Sequence, residues 1–320
     1  MRKVLWSALL CSVTFFASAQ DNVRIVLVPG LTTDAFYITM NKGAQAAAEA
    51  LGITVDFQGA PNFNPVEQIP VLDAVIASAP SAILIAPTDK VQLIEPLRKA
   101  VDAGIPVVTV DTFIDDGSYQ DGAGDGDFPM SYIASDNVAG GRIAARAMCE
   151  AIGNQGAVYV SNVSPGISTT DQREEGFKAG IAEICPDVQV LETQYNDNDS
   201  ATAASQFQAV LASTPNVAGV FGANLFSALG AANGVEGADK SGDVTVIAFD
   251  APQSIVDQIK SGLVDMTIAQ HPFEIGYYGV ITAYAHITGN PVPPSIGTGY
   301  TVMTADNVDD PEVARFIYSE

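Results

Sequence analysis

Six chain-distant segments each place an acid, an amide or an aromatic where a short apolar run ends. Asp34, Phe36 and Tyr37 follow Val23 to Val28; Asp111 and Thr112 follow Val107 to Val110; Asp171 and Gln172 open a helical stretch; Asn224 follows Ala218 to Phe221; Asp250 follows Val244 to Phe249; Gln270 ends the run from Met266 to Ala269. Asn198, just past Tyr195-Asn196-Asp197, completes the candidate lining. Carboxylates accept from hydroxyl groups, amides donate and accept, and aromatic faces pack on apolar C–H surface. No Arg or Lys stands among these positions, so the set suits a neutral polyhydroxylated ligand and speaks against a carboxylate or a phosphate. Each residue also has a purely structural alternative: Asp111 and Asp250 can cap the next turn, and Asp171 after Thr169-Thr170 is an ordinary helix-start residue. Their common place at one sheet edge is what favours binding over capping.

Other chemistry has little to work with. His271 precedes Pro272, and His286 lies in a helical stretch with no acid or nucleophile at useful spacing. There is no GxSxG, HExxH, P-loop or strand-following GxGxxG. Gly122-Ala123-Gly124-Asp125-Gly126 follows no strand and carries acid that repels phosphate. It reads as a solvated loop, with a calcium site built from Asp121, Asp125 and Asp127 as the alternative. No catalytic residue, cofactor or structural metal is expected. A glycosidase using Asp111 and Asp250 as an acid/base pair is the enzymatic alternative.

The elements that must position these residues alternate regularly. Short β-branched runs and helical patterns follow one another: Val23 to Val28, Phe36 to Leu51, Thr54 to Phe57, Pro65 to Ala77, Ala82 to Ile85, Lys90 to Ala103 and Val107 to Val110. Repeated βα units imply a parallel sheet with helices on both faces. Asp115 to Asp127 interrupts the rhythm, and a second series starts at Tyr132 to Ala134, running through Asn137 to Ile152, Ala157 to Ser161, Asp171 to Ile184, Val188 to Glu192, Ser200 to Ala212, Ala218 to Phe221, Leu225 to Val235, Val244 to Phe249 and Pro252 to Ser261. Val107 to Asp111 echoes Thr245 to Asp250, so two similar lobes would bring two strand-end carboxylates to one cleft, beyond the carboxyl ends of the strands. Phe273 to Ile287 is a further helix, and Pro291 to Pro294 a turn before the tail.

The 320 residues suffice for two lobes with separate cores, and 14 Lys+Arg against 37 Asp+Glu give a net charge of −23. Nucleic acid and anionic membranes are poor partners for such a surface. Arg2 and Lys3, the apolar run Val4 to Phe16 and Ala17-Ser18-Ala19 form a signal-peptide pattern over 1–20, so export to the periplasm is expected. Cys11 follows the bulky Leu10, which disfavours lipoprotein processing. Of the remaining cysteines, Cys149 and Cys185 form either one disulfide or two buried thiols.

At Ala35-Phe36-Tyr37, Lys42-Gly43-Ala44-Gln45, Ile85-Ala86-Pro87-Thr88-Asp89, Ile105 to Asp111, Ile133 to Asn137 with Gly140-Gly141, Arg173 to Phe177, Phe249-Asp250 and Ile268-Ala269-Gln270, the chain resembles periplasmic sugar-binding proteins of the ribose-binding type. These are the extracytoplasmic receptors of ABC importers, and the resemblance runs from Asn22 to Thr304. It implies an α/β fold of two doubly wound parallel-sheet lobes joined by a three-crossover hinge, here 21–135 plus 271–299 and 136–270 plus 300–320. The ligand would be buried between the lobes on closure, Phe36 and Tyr37 stacking on it and Asp111, Asn224, Asp250 and Gln270 bonding its hydroxyls. Asp34 stands where the ribose binders carry Asn, Thr112 and Asp171 where they carry Arg, and Ala86 replaces a polar residue. A different pentose, a hexose or a sugar alcohol is therefore expected, bound by a monomer that presents its closed surface to an inner-membrane permease. Thr170-Asp171-Gln172 and Tyr195-Asn196-Asp197 are similar to receptors for autoinducer-2, although Gly30 stands where those carry Lys. The alternative they support is a receptor handing a sugar or such a signal to a chemoreceptor or sensor kinase.

Overall fold

In the computed structural model, which describes residues 23–319, the first strand, β1 (Arg24–Val28), has four of its five residues buried. A strand covered by helices on both faces must be apolar throughout, which is why Ile25 to Val28 show no alternation. After β1 come α1 (Ala35–Leu51), β2 (Thr54–Phe57), α2 (Pro65–Ala77), β3 (Ala82–Ile85), α3 (Ile94–Asp102), β4 (Val107–Val110) and β5 (Ser131–Ser135). The second series is α4 (Asn137–Ala151), β6 (Ala157–Asn162), α5 (Ser168–Ile184), β7 (Gln189–Val190), β8 (Gln194–Tyr195), α6 (Ser200–Ser213), β9 (Val217–Gly222), α7 (Leu225–Gly237), β10 (Thr245–Phe249), α8 (Gln253–Ser261) and β11 (Met266–Gln270). The chain ends with α9 (Pro272–Ile287), β12 (Ser295–Thr298), β13 (Tyr300–Thr304) and α10 (Pro311–Ala314).

Two sheets result. One has the order β12-β5-β4-β3-β1-β2 and is parallel throughout; the other runs β13-β11-β10-β9-β6-β7, with β13 antiparallel to β11 and β8 pairing with β6. The chain passes from one to the other after β5, returns between β11 and α9, and crosses again between β12 and β13. Both βα lobes anticipated from the alternation are therefore present, with three crossings.

Local chemistry sets the element ends. Asp34 accepts the Phe36 amide at the start of α1, and Gly52, at φ +68°, ends that helix in the left-handed conformation. The helix expected from Lys90 starts only at Ile94, because the Asp89 carboxylate accepts from the amides of Val91 and Gln92 and holds a turn there. The strand expected over Val188 to Glu192 shrinks to Gln189–Val190 at the sheet edge. Strands β12 and β13 replace what composition showed only as turn and tail. Their polar, half-buried sequences suit edge positions, where neither face needs continuous apolar cover.

Cys149, in α4, and Cys185, just after α5, are bonded to one another, so these two helices are cross-linked over 36 residues. Gly141 and Gly176 let the same helices approach closely: a Cβ on either would run into the backbone of the opposite helix, at Arg173 and Val138 respectively. The acidic loop keeps its carboxylates for itself. Asp121 accepts from Ala123 N and Asp115 from Gly126 N, and among the described residues no group of three acids, histidines or cysteines is arranged to hold a metal. The calcium alternative for Asp121, Asp125 and Asp127 is thus without support. The signal-peptide segment and Cys11 lie outside the described residues.

Candidate functional site

Asp111 and Asp250 stand directly after β4 and β10, and both adopt the left-handed backbone conformation, at φ 63° and 75°. That conformation costs a non-glycine residue of the order of 1 kcal/mol, so it must be held from outside. The two sites are held alike. The amide of Asp111 donates to Ile133 O on β5 and that of Asp250 to Ile268 O on β11. The hydroxyl of the preceding residue on each neighbouring strand, Tyr132 or Thr267, donates to the carbonyl of the aspartate. Each carboxylate also accepts from a tyrosine hydroxyl, Asp111 from Tyr37 at 2.8 Å and Asp250 from Tyr318 at 3.1 Å.

These strand ends face a cavity between the two sheets, the usual place for a ligand in open α/β folds. Eight of the sequence-predicted residues line it: Asp34, Phe36, Tyr37, Asp111, Asn198, Asn224, Asp250 and Gln270. Capping and lining prove compatible. Asp34 accepts the Phe36 amide through Oδ1, and Asn224 caps α7 through Oδ1 while its Nδ2 donates to Asn198 Oδ1 at 2.7 Å. Gln270 donates from Nε2 to Asp250 Oδ1, which leaves its buried Oε1 without a protein partner.

Three predicted residues lie elsewhere. Thr112 is fully buried behind the strand end and is not part of the cavity wall. Asp171 and Gln172 sit on the wrong face of α5. The helix begins at Ser168, so Thr169, Thr170 and Arg173, spaced three and four apart, share the cavity face, and the two residues between them point away. Asp171 instead accepts from Gly166 N and from Lys90 Nζ at 3.3 Å, joining the loop after β3 to the start of α5. Lys90 N also donates to Gly166 O, and Phe113 N to Ser168 Oγ, so two loops of the first sheet meet one segment of the second.

Arg173 overturns the expectation of a wall without basic residues. It is 2% exposed; Nε donates to Asn137 Oδ1, Nη1 to Ala223 O, and the guanidinium lies 3.9 Å over the Phe249 ring, leaving Nη2 buried without a partner. Its spacing of four and three residues from Thr169 and Thr170 is the signal the sequence carries, legible once the helix is taken to begin at Ser168. Phe63, Val163 and Ile167 complete the apolar wall and carried no sequence signal.

One cation among three carboxylates leaves the cavity acidic. Burial, reinforced by the Asp250 charge, pushes the Asp34 carboxyl up to about 7. Burial also raises Asp111 to about 6, against the opposing pull of Arg173 and the Tyr37 hydroxyl. Such a wall offers several acceptors, one guanidinium donor and three aromatic rings. It can exchange hydrogen bonds with several hydroxyls of one compact ligand, and it repels anions.

The comparisons with known proteins agree with this geometry. Residues 25–291 match the model of the periplasmic binding protein domain. The ribose import binding protein of Escherichia coli is 32% identical over 90% of this chain and 93% of its own length. An ABC transporter solute-binding protein from Agrobacterium vitis, solved with bound α-D-tagatopyranose, is 68% identical with a TM-score of 0.92, covering 93% of this chain and all of its own. A second solute-binding protein from the same organism, with bound D-fucose, is 29% identical with a TM-score of 0.86, over 92% of this chain and all of its own. With two largely parallel sheets linked by three crossings, a cavity at their strand ends and a family match across most of its length, this chain belongs to the periplasmic binding proteins.

Proposed function

We propose that the protein is the sugar receptor of an ABC importer, holding one neutral monosaccharide in the cavity between the two sheets. A ketohexose in its pyranose form, with D-tagatose first, is the leading candidate. The observation that carries this reading is the wall itself: Asp34, Asp111, Asp250 and Gln270 Oε1 as acceptors, Arg173 Nη2 and the Thr170 hydroxyl as buried donors without a protein partner, and Phe36, Tyr37 and Phe63 as ring surface. Each hydroxyl–carboxylate bond contributes roughly 1.5–3 kcal/mol, so a few of them reach the −8 kcal/mol of micromolar binding after the cost of association. The tagatose-bound relative, at 68% identity, supports the choice of sugar.

The ligand acts by preferring the closed arrangement of the two lobes, 21–135 plus 271–299 and 136–270 plus 300–320. The loaded monomer then offers its closed surface to an inner-membrane permease. Residues 1–20 serve as the export signal, which places the receptor in the periplasm. The matched relatives are binding proteins of importers, so Asp111 and Asp250 are read as hydrogen-bonding groups and not as an acid/base pair.

The test is calorimetric titration of protein that has been unfolded and refolded to strip retained ligand, with D-tagatose, D-ribose, D-allose, D-fucose and D-arabinose. Gluconate and ribose 5-phosphate serve as anionic controls. Binding of one or more neutral sugars at micromolar affinity or better, without the anions, is expected. Silence from every sugar, or preference for an anion, would overturn the assignment.

A further inference from the structure

Tyr318 lies outside the cavity wall, on the C-terminal segment beyond α10, and sequence reasoning assigned it nothing. Its ring is 3% exposed and meets the Phe36 ring edge-on at 5.8 Å. Its hydroxyl accepts from Gln270 N at 2.9 Å and donates to Asp250 Oδ1 at 3.1 Å. Its backbone is anchored by Tyr318 N donating to Ala251 O, and the next residue ties the segment to α1, Ser319 N donating to Thr39 Oγ1 at 2.7 Å. Upstream, Phe316 stacks on His271, at the crossing between β11 and α9, with ring centroids 3.9 Å apart. The segment therefore touches both strand ends of the second sheet, the crossing and the first helix of the other lobe.

We propose that Tyr318 is the positioning residue for the ligand-binding pair Asp250 and Gln270, and that the C-terminal segment is thereby a working part of the binding site. The inference rests on the sugar-receptor reading above. Asp250 Oδ1 is shared by Tyr318 Oη and Gln270 Nε2, while Oδ2 accepts from Leu225 N. This fixes the carboxylate plane. It also commits the Gln270 amide to donate toward Asp250, so that Oε1 remains as an acceptor facing the ligand. Burial and the Asp250 charge hold the Tyr318 hydroxyl well above its ordinary pKa, so it stays a proton donor at every working pH. Tyr37 does the same for Asp111 from inside the cavity. In the second lobe the cavity face is given to the ligand, and the tyrosine comes from behind.

Tyr318→Phe removes the hydroxyl and leaves the ring packed on Phe36. With D-tagatose as the probe, or the panel sugar of highest affinity if that differs, titration of Tyr318→Phe should show binding weakened ten-fold or more. The decisive readout is a double-mutant cycle with Asp250→Ala, which removes the carboxylate that Tyr318 and Gln270 share. If Tyr318 acts through the pair, the double variant binds no more than about two-fold more weakly than Asp250→Ala alone. Additive losses, or wild-type affinity in Tyr318→Phe, would overturn the proposal. Thr39→Val separates positioning from simple strapping: it cuts the anchor to α1 while keeping the Tyr318 hydroxyl, and should leave affinity within three-fold. A larger loss would show that the segment acts as a tether and not through Asp250. If wild-type protein binds no sugar, the functional reading has failed; if it binds and Tyr318→Phe is unaltered, only this inference has.

Discussion

Asp34 offers the sharpest test of the electrostatic account, because replacing it with Asn keeps the shape and the acceptor for Phe36 N and removes only the charge. Burial and the Asp250 charge raise its carboxyl from 3.8 to about 7 in the folded protein. A group whose pKa is raised on folding binds its proton more tightly in the native state. Its contribution is therefore fully present below pH 3.8 and is lost as pH rises toward 7. At 1.36 kcal/mol per pH unit, that loss is about 4 kcal/mol for Asp34. Sugar-free Asp34→Asn should thus match wild type near pH 4 and exceed its stability by up to about 4 kcal/mol at pH 7.5. Urea unfolding at pH 4.0, 5.5 and 7.5 measures this, and the difference between the two proteins cancels groups that titrate equally in both. A difference that stays below about 1 kcal/mol at pH 7.5, or that shrinks with rising pH, would refute the claim that Asp34 is a buried, poorly compensated acid.

Arg173→Met should destabilise the sugar-free protein by roughly 3–5 kcal/mol in the same assay, since it strands Asn137 Oδ1, Ala223 O and three nearby carboxylates. An unchanged midpoint would mean that the cation is not needed to hold the wall together. Asp171→Ala removes a part-exposed pair with Lys90 and should weaken sugar binding by less than ten-fold, in line with the 0–1 kcal/mol of such pairs, with the effect fading in high salt. A hundred-fold loss in titration would show that Asp171 touches the ligand after all. Reducing Cys149–Cys185, or replacing both with Ala, opens a 36-residue link and should cost about 3–4 kcal/mol in urea unfolding without changing sugar affinity.

Much of the fold was legible because its signals are local and repeated. A strand buried on both faces announces itself as Ile25 to Val28 does, and Gly52 closes α1 on sight. What escaped depends on phase or on distance. A helix pattern taken only from Asp171 leaves out Thr169 and Thr170, the two residues whose spacing from Arg173 marks the cavity face of α5, so Asp171 and Gln172 carry the polar signal there and Arg173 does not stand out. Thr112 shows the opposite limit: adjacency to Asp111 in the chain does not carry it into the cavity, because the left-handed turn at Asp111 redirects the backbone. Edge strands β12 and β13 lack the apolar signature of central ones. Tyr318, 48 residues beyond Gln270, had no sequence feature linking the two.

The pseudo-symmetry of Asp111 and Asp250 explains why these two positions, and not their neighbours, face the cavity. Both strands would continue into a βα turn, and a left-handed residue at that point swings its side chain out over the sheet edge. Glycine would adopt the conformation more cheaply, so an aspartate held there by an amide, a hydroxyl and a tyrosine is strain retained for the side chain's sake. The scaffolding is the same on both sides, yet the tyrosines differ in origin: Tyr37 belongs to the first helix of its own lobe, Tyr318 to the far end of the chain. One lobe thus completes its carboxylate from within its first βα unit. The other depends on a segment that returns only after all three crossings have been made, which couples the finished topology of the chain to the geometry of the site.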